Sequence, residues 1–154
     1  LKNGGNKGVF YMLQSFTKDK EVDFSSVPFC LEAESEEDLQ VLKQLAEYMN
    51  GKIYFLDSDQ RKALHVAAVF ANNFTNYMFT VADSICKQNN IPFDILYPLI
   101  QETSAKVQTM PPSKAQTGPA IRRDQKTIKN HLNLLDDKQK EIYNLLTQLI
   151  QNGA

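Results

Sequence analysis

Charge of one sign is not in excess here: 17 basic residues face 18 acidic ones, for a net charge of −1. That balance removes the electrostatic case for nucleic acid or an anionic membrane surface as a partner. Cysteine is scarce. Cys30 and Cys86 form neither a CxxC pair nor a metal-ligand spacing, so no metal site is expected. A reduced pair is the plain reading, with one disulfide as the alternative. Self-sufficient catalytic motifs are missing too. There is no GxGxxG, P-loop, HExxH or GxSxG, hence no built-in phosphate cradle, zinc helix or serine elbow. Nothing after Leu1-Lys2-Asn3-Gly4-Gly5 reads as a secretory signal, which leads to the expectation of a cytoplasmic protein.

The most telling absence is local. Between Lys62 and Asp83, twenty residues pass without a charged side chain. The stretch is apolar, yet it holds His65, Asn72, Asn73, Thr75, Asn76 and Thr80. It is long enough for a bilayer. Its six polar groups and the lack of an aromatic belt argue against one. An ordinary surface helix would carry Lys and Glu on its outer face. Uncharged hydrogen-bonding groups instead suggest burial on most sides or the wall of a polar pocket.

The chain is 42% hydrophobic and 10% aromatic, enough for a real core. Residues 1–57 read as α/β. Apolar runs predict strands over Gly8–Phe16, Val27–Glu34 and Lys52–Asp57. Between the last two, Ser35 and Asp38 stand at capping-box spacing. Leu39, Leu42, Leu45, Ala46 and Met49 follow as a helical stripe, and Asn50-Gly51 stops it. Residues 58–154 read as helical. One long helix, capped by Ser58 or Asp59, runs to about Asn89. A second runs from Phe93 to about Met110 with Pro92 at its start. The Pro- and Gly-rich stretch Met110–Pro119 reads as a loop. Two further helices follow, ending near Leu135 and starting at Asp136-Asp137. The fold class is thus α+β by content and mainly a helical bundle.

On a helical wheel, His65, Asn72, Asn76, Thr80 and Asp83 share one face of the long helix, opposite Phe70, Phe74, Met78, Val81 and Ile85. Histidine can exchange a proton near neutral pH, and asparagine can orient a carbonyl or hydroxyl. The plainer alternative is a buried helix whose polar groups bond to backbone and neighbouring helices. A second constellation is Thr117-Gly118-Pro119 with Arg122, Arg123 and Asp124. The Gly-Pro turn precedes a helix start whose N–H groups suit an anion, and an arginine fork suits a carboxylate or phosphate. Its plainer alternative is a turn with solvated arginines, one paired to Asp124. His131 is a lone helical histidine, more simply structural.

Three stretches together resemble the DUF2520 family. They are Gly8-Val-Phe-Tyr-Met-Leu-Gln-Ser-Phe-Thr17, Leu64-His65 with Ala67 to Phe74, and Thr117-Gly118-Pro119 with Arg122 to Asp124 and then His131-Leu132. The family's expected activity is NADP-dependent oxidation and reduction. The resemblance implies the C-terminal part of a Rossmann-like domain over 1–57. Over 58–154 it implies a helical substrate and dimerisation domain of the 6-phosphogluconate dehydrogenase C-terminal-like type. Cofactor-binding residues are then expected upstream of Leu1. NADP or NAD is expected for the full-length protein, and no cofactor for this portion alone. Met12 departs from the family pattern, which has proline after the aromatic pair.

The resemblance implies catalytic roles for His65 and Asn72, and substrate contacts for Asn76, Thr117, Gly118 and Arg122. The expected partners are a small anionic substrate and a second copy of the chain, with neither nucleic acid nor membrane. Two rival readings remain: a non-catalytic helical dimerisation module, and a small-anion binding protein. Substrate, direction of reaction and the choice between NADP and NAD are not legible.

Overall fold

The structure, a computed structural model, describes residues 5–153. Leu1 to Gly4, read above for a signal, lie outside them. The chain divides into two compact units, Leu1–Phe74 and Thr75–Ala154.

The first unit is built on three strands: β1 (Gly8–Met12), β2 (Pro28–Ala33) and β3 (Lys52–Phe55), in that spatial order. β1 runs antiparallel to β2, with Gly8 opposite Ala33 and Met12 opposite Phe29. β3 runs parallel to β2. A parallel pair needs a crossover, and α1 (Glu36–Tyr48) supplies it. Ser35 caps α1 by accepting from the Asp38 N–H, while Asp38 accepts the Ser35 hydroxyl and the Asn6 amide. The box therefore closes side chain to side chain rather than onto the Ser35 backbone.

Alternation sends Phe10, Met12, Phe29 and Leu31 to one sheet face. There they meet Leu39, Leu42, Ala46 and Met49 of α1 and its end. Val27, Phe29, Leu31 and Ala46 are fully or almost fully buried. Met12, which stands where the resembled pattern has proline, is packed into this core. Asn50 takes a left-handed φ of 55° to end the helix. Gly51 follows because a Cβ there would lie 1.9 Å from the Phe29 ring.

β1 is shorter than its apolar run. Leu13 still bonds the Pro28 carbonyl, but β2 offers no partner beyond it. Residues 24–26 are instead a 3-10 turn capped by Asp23. The chain from Gln14 therefore leaves the sheet as a loop.

α2 (Ser58–Ala68) opens on Asp57, not on Ser58 or Asp59. Asp57 and Gln60 form a complete capping box. From Val69 to Phe74 the helix widens into a π turn, and helical structure resumes as α3 (Thr75–Gln88). Burial on most sides does not hold: Val66, Phe70, Phe74 and Tyr77 are all at least half exposed.

The second unit holds α3, α4 (Tyr97–Thr109), α5 (Pro112–Ala115), α6 (Gln125–Leu132) and α7 (Asp137–Asn152). Phe93–Leu96 is a 3-10 turn, so the helix predicted from Phe93 becomes regular only at Tyr97, with Pro98 in its first turn. The loop predicted over Met110–Pro119 contains the single turn α5. Asp124 caps α6, and Asp136 forms a capping box with Gln139 at α7. Both cysteines are free and buried. Content is mainly helical with one small sheet, as the α+β reading requires. Among the described residues no helix is long and apolar enough to cross a membrane.

Candidate functional site

The second face of the sheet carries the residues that the core does not use. Alternation puts Tyr11 on it beside its partner Cys30, and Glu32 two residues further along β2. Both Tyr11 and Glu32 reach α2. Glu32 accepts from the Ser58 N–H and hydroxyl and pairs with the Arg61 guanidinium. Arg61 foremost, with Ser58, holds the Glu32 carboxyl below the usual glutamate range, against the opposing effect of desolvation. Tyr11 meets His65, its hydroxyl lying 3.2 Å from Nδ1. The two anchors match in pitch. Two residues of strand cover about 6.6 Å, and the four residues from Arg61 to His65 rise about 6 Å.

One turn beyond His65 the π turn begins. A π turn closes i to i+5 instead of i to i+4 and recurs at functional sites. Within it, side chains do not advance by the regular step of an α-helix, about 100° per residue. A wheel drawn at constant pitch therefore fails across it. The polar stripe predicted from His65 to Asp83 divides into two segments, His65 and Asn72 in the first unit and Asn76, Thr80 and Asp83 in the second.

The two segments behave differently. Past the π turn, Thr80 bonds back to the Asn76 carbonyl and Asp83 pairs with Lys87. These groups are satisfied by their own helix. Before and within it, His65, Ala68, Val69, Ala71, Asn72 and Asn73 line a cleft of about 440 Å³. Tyr11, Leu13, Gln14 and Ser15, from the end of β1 and the loop after it, line the rest. No lining residue carries a formal charge. The lining offers a phenol, a hydroxyl, three carboxamides and an imidazole. The side-chain amides of Asn72 and Asn73 have no hydrogen-bond partner among the described residues. Two smaller hollows in this unit, about 240 and 200 Å³, bear Lys20, Glu21 and Asp23, and Glu32 and Glu34 respectively. Neither contains a sequence-predicted site residue.

His65 and Asn72 are thus brought together on one wall. Asn76, Thr117, Gly118 and Arg122 belong to the second unit and are not among the lining residues. In that unit Gly118 holds a φ of 102°, which favours glycine, with open space where a Cβ would be. Arg122 is exposed and forms no ion pair among the described residues. Arg123, at a left-handed φ of 54°, donates to the Gln151 carbonyl. Asp124 accepts from the Thr127 N–H and hydroxyl, bonds that hold its carboxyl below the usual range. The α6 N-terminus therefore already has a carboxylate of its own chain. His131 is bonded by Nδ1 to the Tyr143 hydroxyl at 2.9 Å. No group of three or more potential metal ligands occurs among the described residues.

Tyr11, Leu13, Gln14 and Ser15, the lining residues outside the helix, are ones the sequence reading did not single out. They lie inside the first stretch that carried the family resemblance, which was the available signal.

Comparison with known proteins bears on the whole chain. Residues 27–150 match the model of a domain of unknown function, DUF2520. A solved Bacteroides fragilis structure, named a putative NADP oxidoreductase, is 46% identical with a TM-score of 0.92. It aligns with 98% of this chain and 59% of its own. A Thermotoga maritima structure, 22% identical with a TM-score of 0.77, shares the fold across 96% of this chain and 61% of its own. This chain thus spans about three fifths of either protein. No curated protein matches it.

Proposed function

The chain belongs to the DUF2520 family, and from that premise we propose that it forms the substrate-cleft portion of an NAD(P)-dependent oxidoreductase. The observation that carries the reading is the uncharged cleft in which His65 and two unengaged carboxamides line one wall. The name of the Bacteroides fragilis protein supports the reaction class and the cofactor.

The cleft suits the nicotinamide end of such a cofactor rather than its phosphates. It offers carboxamides and an imidazole, with no cation and no glycine turn. When bound, the cofactor would accept or supply a hydride. The chain's own residues have the remaining work. Interconverting a carbonyl and an alcohol moves a proton at oxygen as well as a hydride at carbon. His65 gives or takes that proton, and Asn72 orients the oxygen. A lining without charge fits a hydroxyl or carbonyl better than a carboxylate at the reacting end. For the exposed guanidinium of Arg122 we propose a contact with an anionic group.

Titration of the full-length protein with NADPH and NADH tests the reading. Affinity for at least one is expected, and affinity for neither overturns it. His65→Gln should lower kcat by about a hundredfold or more, the usual worth of a positioned proton-transfer group. Undiminished turnover would remove His65 from the mechanism.

A further inference from the structure

The chain has two histidines, and each is held by Nδ1 against a tyrosine hydroxyl. The His131–Tyr143 pair lines no described cleft. The His65–Tyr11 pair does, and both of its members are lining residues. We infer that Tyr11 is a positioning residue that donates its hydroxyl proton to Nδ1 of His65 and so makes Nε2–H the group presented to the substrate oxygen. The inference rests on the reading of His65 as the proton-transfer group.

The chemistry favours this sense of the bond. A neutral imidazole has one bare nitrogen and one N–H, and the bond made by the first fixes the role of the second. A phenol is the stronger donor of the pair and a weak acceptor. With Tyr11 on Nδ1, Nε2 must carry the proton, and no other side chain of the described residues engages it. The arrangement also resupplies itself. As Nε2 releases its proton to a developing alkoxide, Nδ1 takes the Tyr11 proton; the phenolate then takes that proton back from Nδ1 as Nε2 recovers one from water, which restores the Nε2–H tautomer. The O–H bond of the product forms as the Nε2–H bond breaks, and the ring is neutral before and after. A carboxylate in place of Tyr11 would accept from Nδ1–H and leave Nε2 bare, which is the opposite device.

Backbone geometry supports a built pairing rather than an incidental one. Tyr11 lies inside β1, held across to Cys30. The Glu32–Arg61 pair, one turn before His65, fixes the helix against the same sheet. The ring and the hydroxyl are therefore both carried by regular elements.

Nitrogen NMR of the two imidazoles, at a pH where both are neutral, reads the tautomers directly. His65 should be mainly Nε2–H. In Tyr11→Phe, which keeps the ring but removes the hydroxyl, its ratio of Nε2–H to Nδ1–H should fall about fivefold, the weight of one ordinary hydrogen bond. His131 should not change, which makes it the reference ring, and unaltered amide signals of β1 and β2 report that the variant is folded. An unchanged His65 ratio overturns the inference, as does a wild-type ring that is mainly Nδ1–H. The measurement needs neither substrate nor cofactor. Its failure would leave the oxidoreductase reading standing, and absence of NADPH and NADH affinity would overturn that reading alone.

Discussion

At the residue scale, Glu32 shows how one side chain can serve the site without lining its cleft. It satisfies the first turn of α2 through Ser58 and Arg61, and that helix carries His65. Its carboxyl is held below the usual glutamate value of about 4.5. A depressed folded value means the native state prefers the charged form. The contribution is complete above about pH 4.5 and is lost as pH falls through the lower folded value. Glu32→Gln should therefore lower stability near neutrality and flatten the acid limb of a denaturation-against-pH curve. A limb as steep as that of the wild type would show that other carboxylates carry it. The same scale separates what the sequence shows from what it hides. That His65 and Asn72 share a cleft wall is legible from their place in one uncharged stretch. Tyr11 is hidden because its partner is 54 positions away. No local periodicity reports a strand residue's contact with a helix that follows a whole crossover.

Elements are legible where caps and stops are local chemistry. Ser35, Asp136 and the Asn50-Gly51 stop are of this kind. Asp57 was hidden inside an apolar strand reading, because its capping box depends on Gln60 folding back to it. Asp57→Ala should cost about 1 kcal/mol in urea unfolding and loosen the start of α2. The π turn left no mark on composition, since Val69 to Phe74 would suit an α-helix equally well. Only the path of the chain distinguishes the two. Gly51 is the sharper test of an element boundary. Its Cβ would overlap a Phe29 ring that is 0% exposed. Gly51→Ala should destabilise the first unit by about 3 kcal/mol, the upper range for forced overpacking, seen as a lower urea midpoint. A midpoint within error of the wild type would mean that the turn and ring shift freely.

At the scale of the whole molecule, content was the legible quantity: a small sheet early, helices after. As macromolecular partner we propose a second copy of the chain. Ile95 and Leu99, and Leu145 and Leu149, are apolar pairs one helical turn apart that stand exposed, and apolar surface of this kind marks association. Light scattering of the full-length protein should give twice the single-chain mass, and a single-chain mass would overturn the proposal.

The two anchors from sheet to α2 carry a consequence for local opening. A helix end normally frays, exposing its amides to solvent long before the domain unfolds. With Glu32 on Ser58 and Arg61 and Tyr11 on His65, the first two turns of α2 cannot open without breaking these bonds to β1 and β2. Amide hydrogen exchange at Lys62 to Val66 should then be slower than at an unanchored helix start, and Glu32→Gln should speed it.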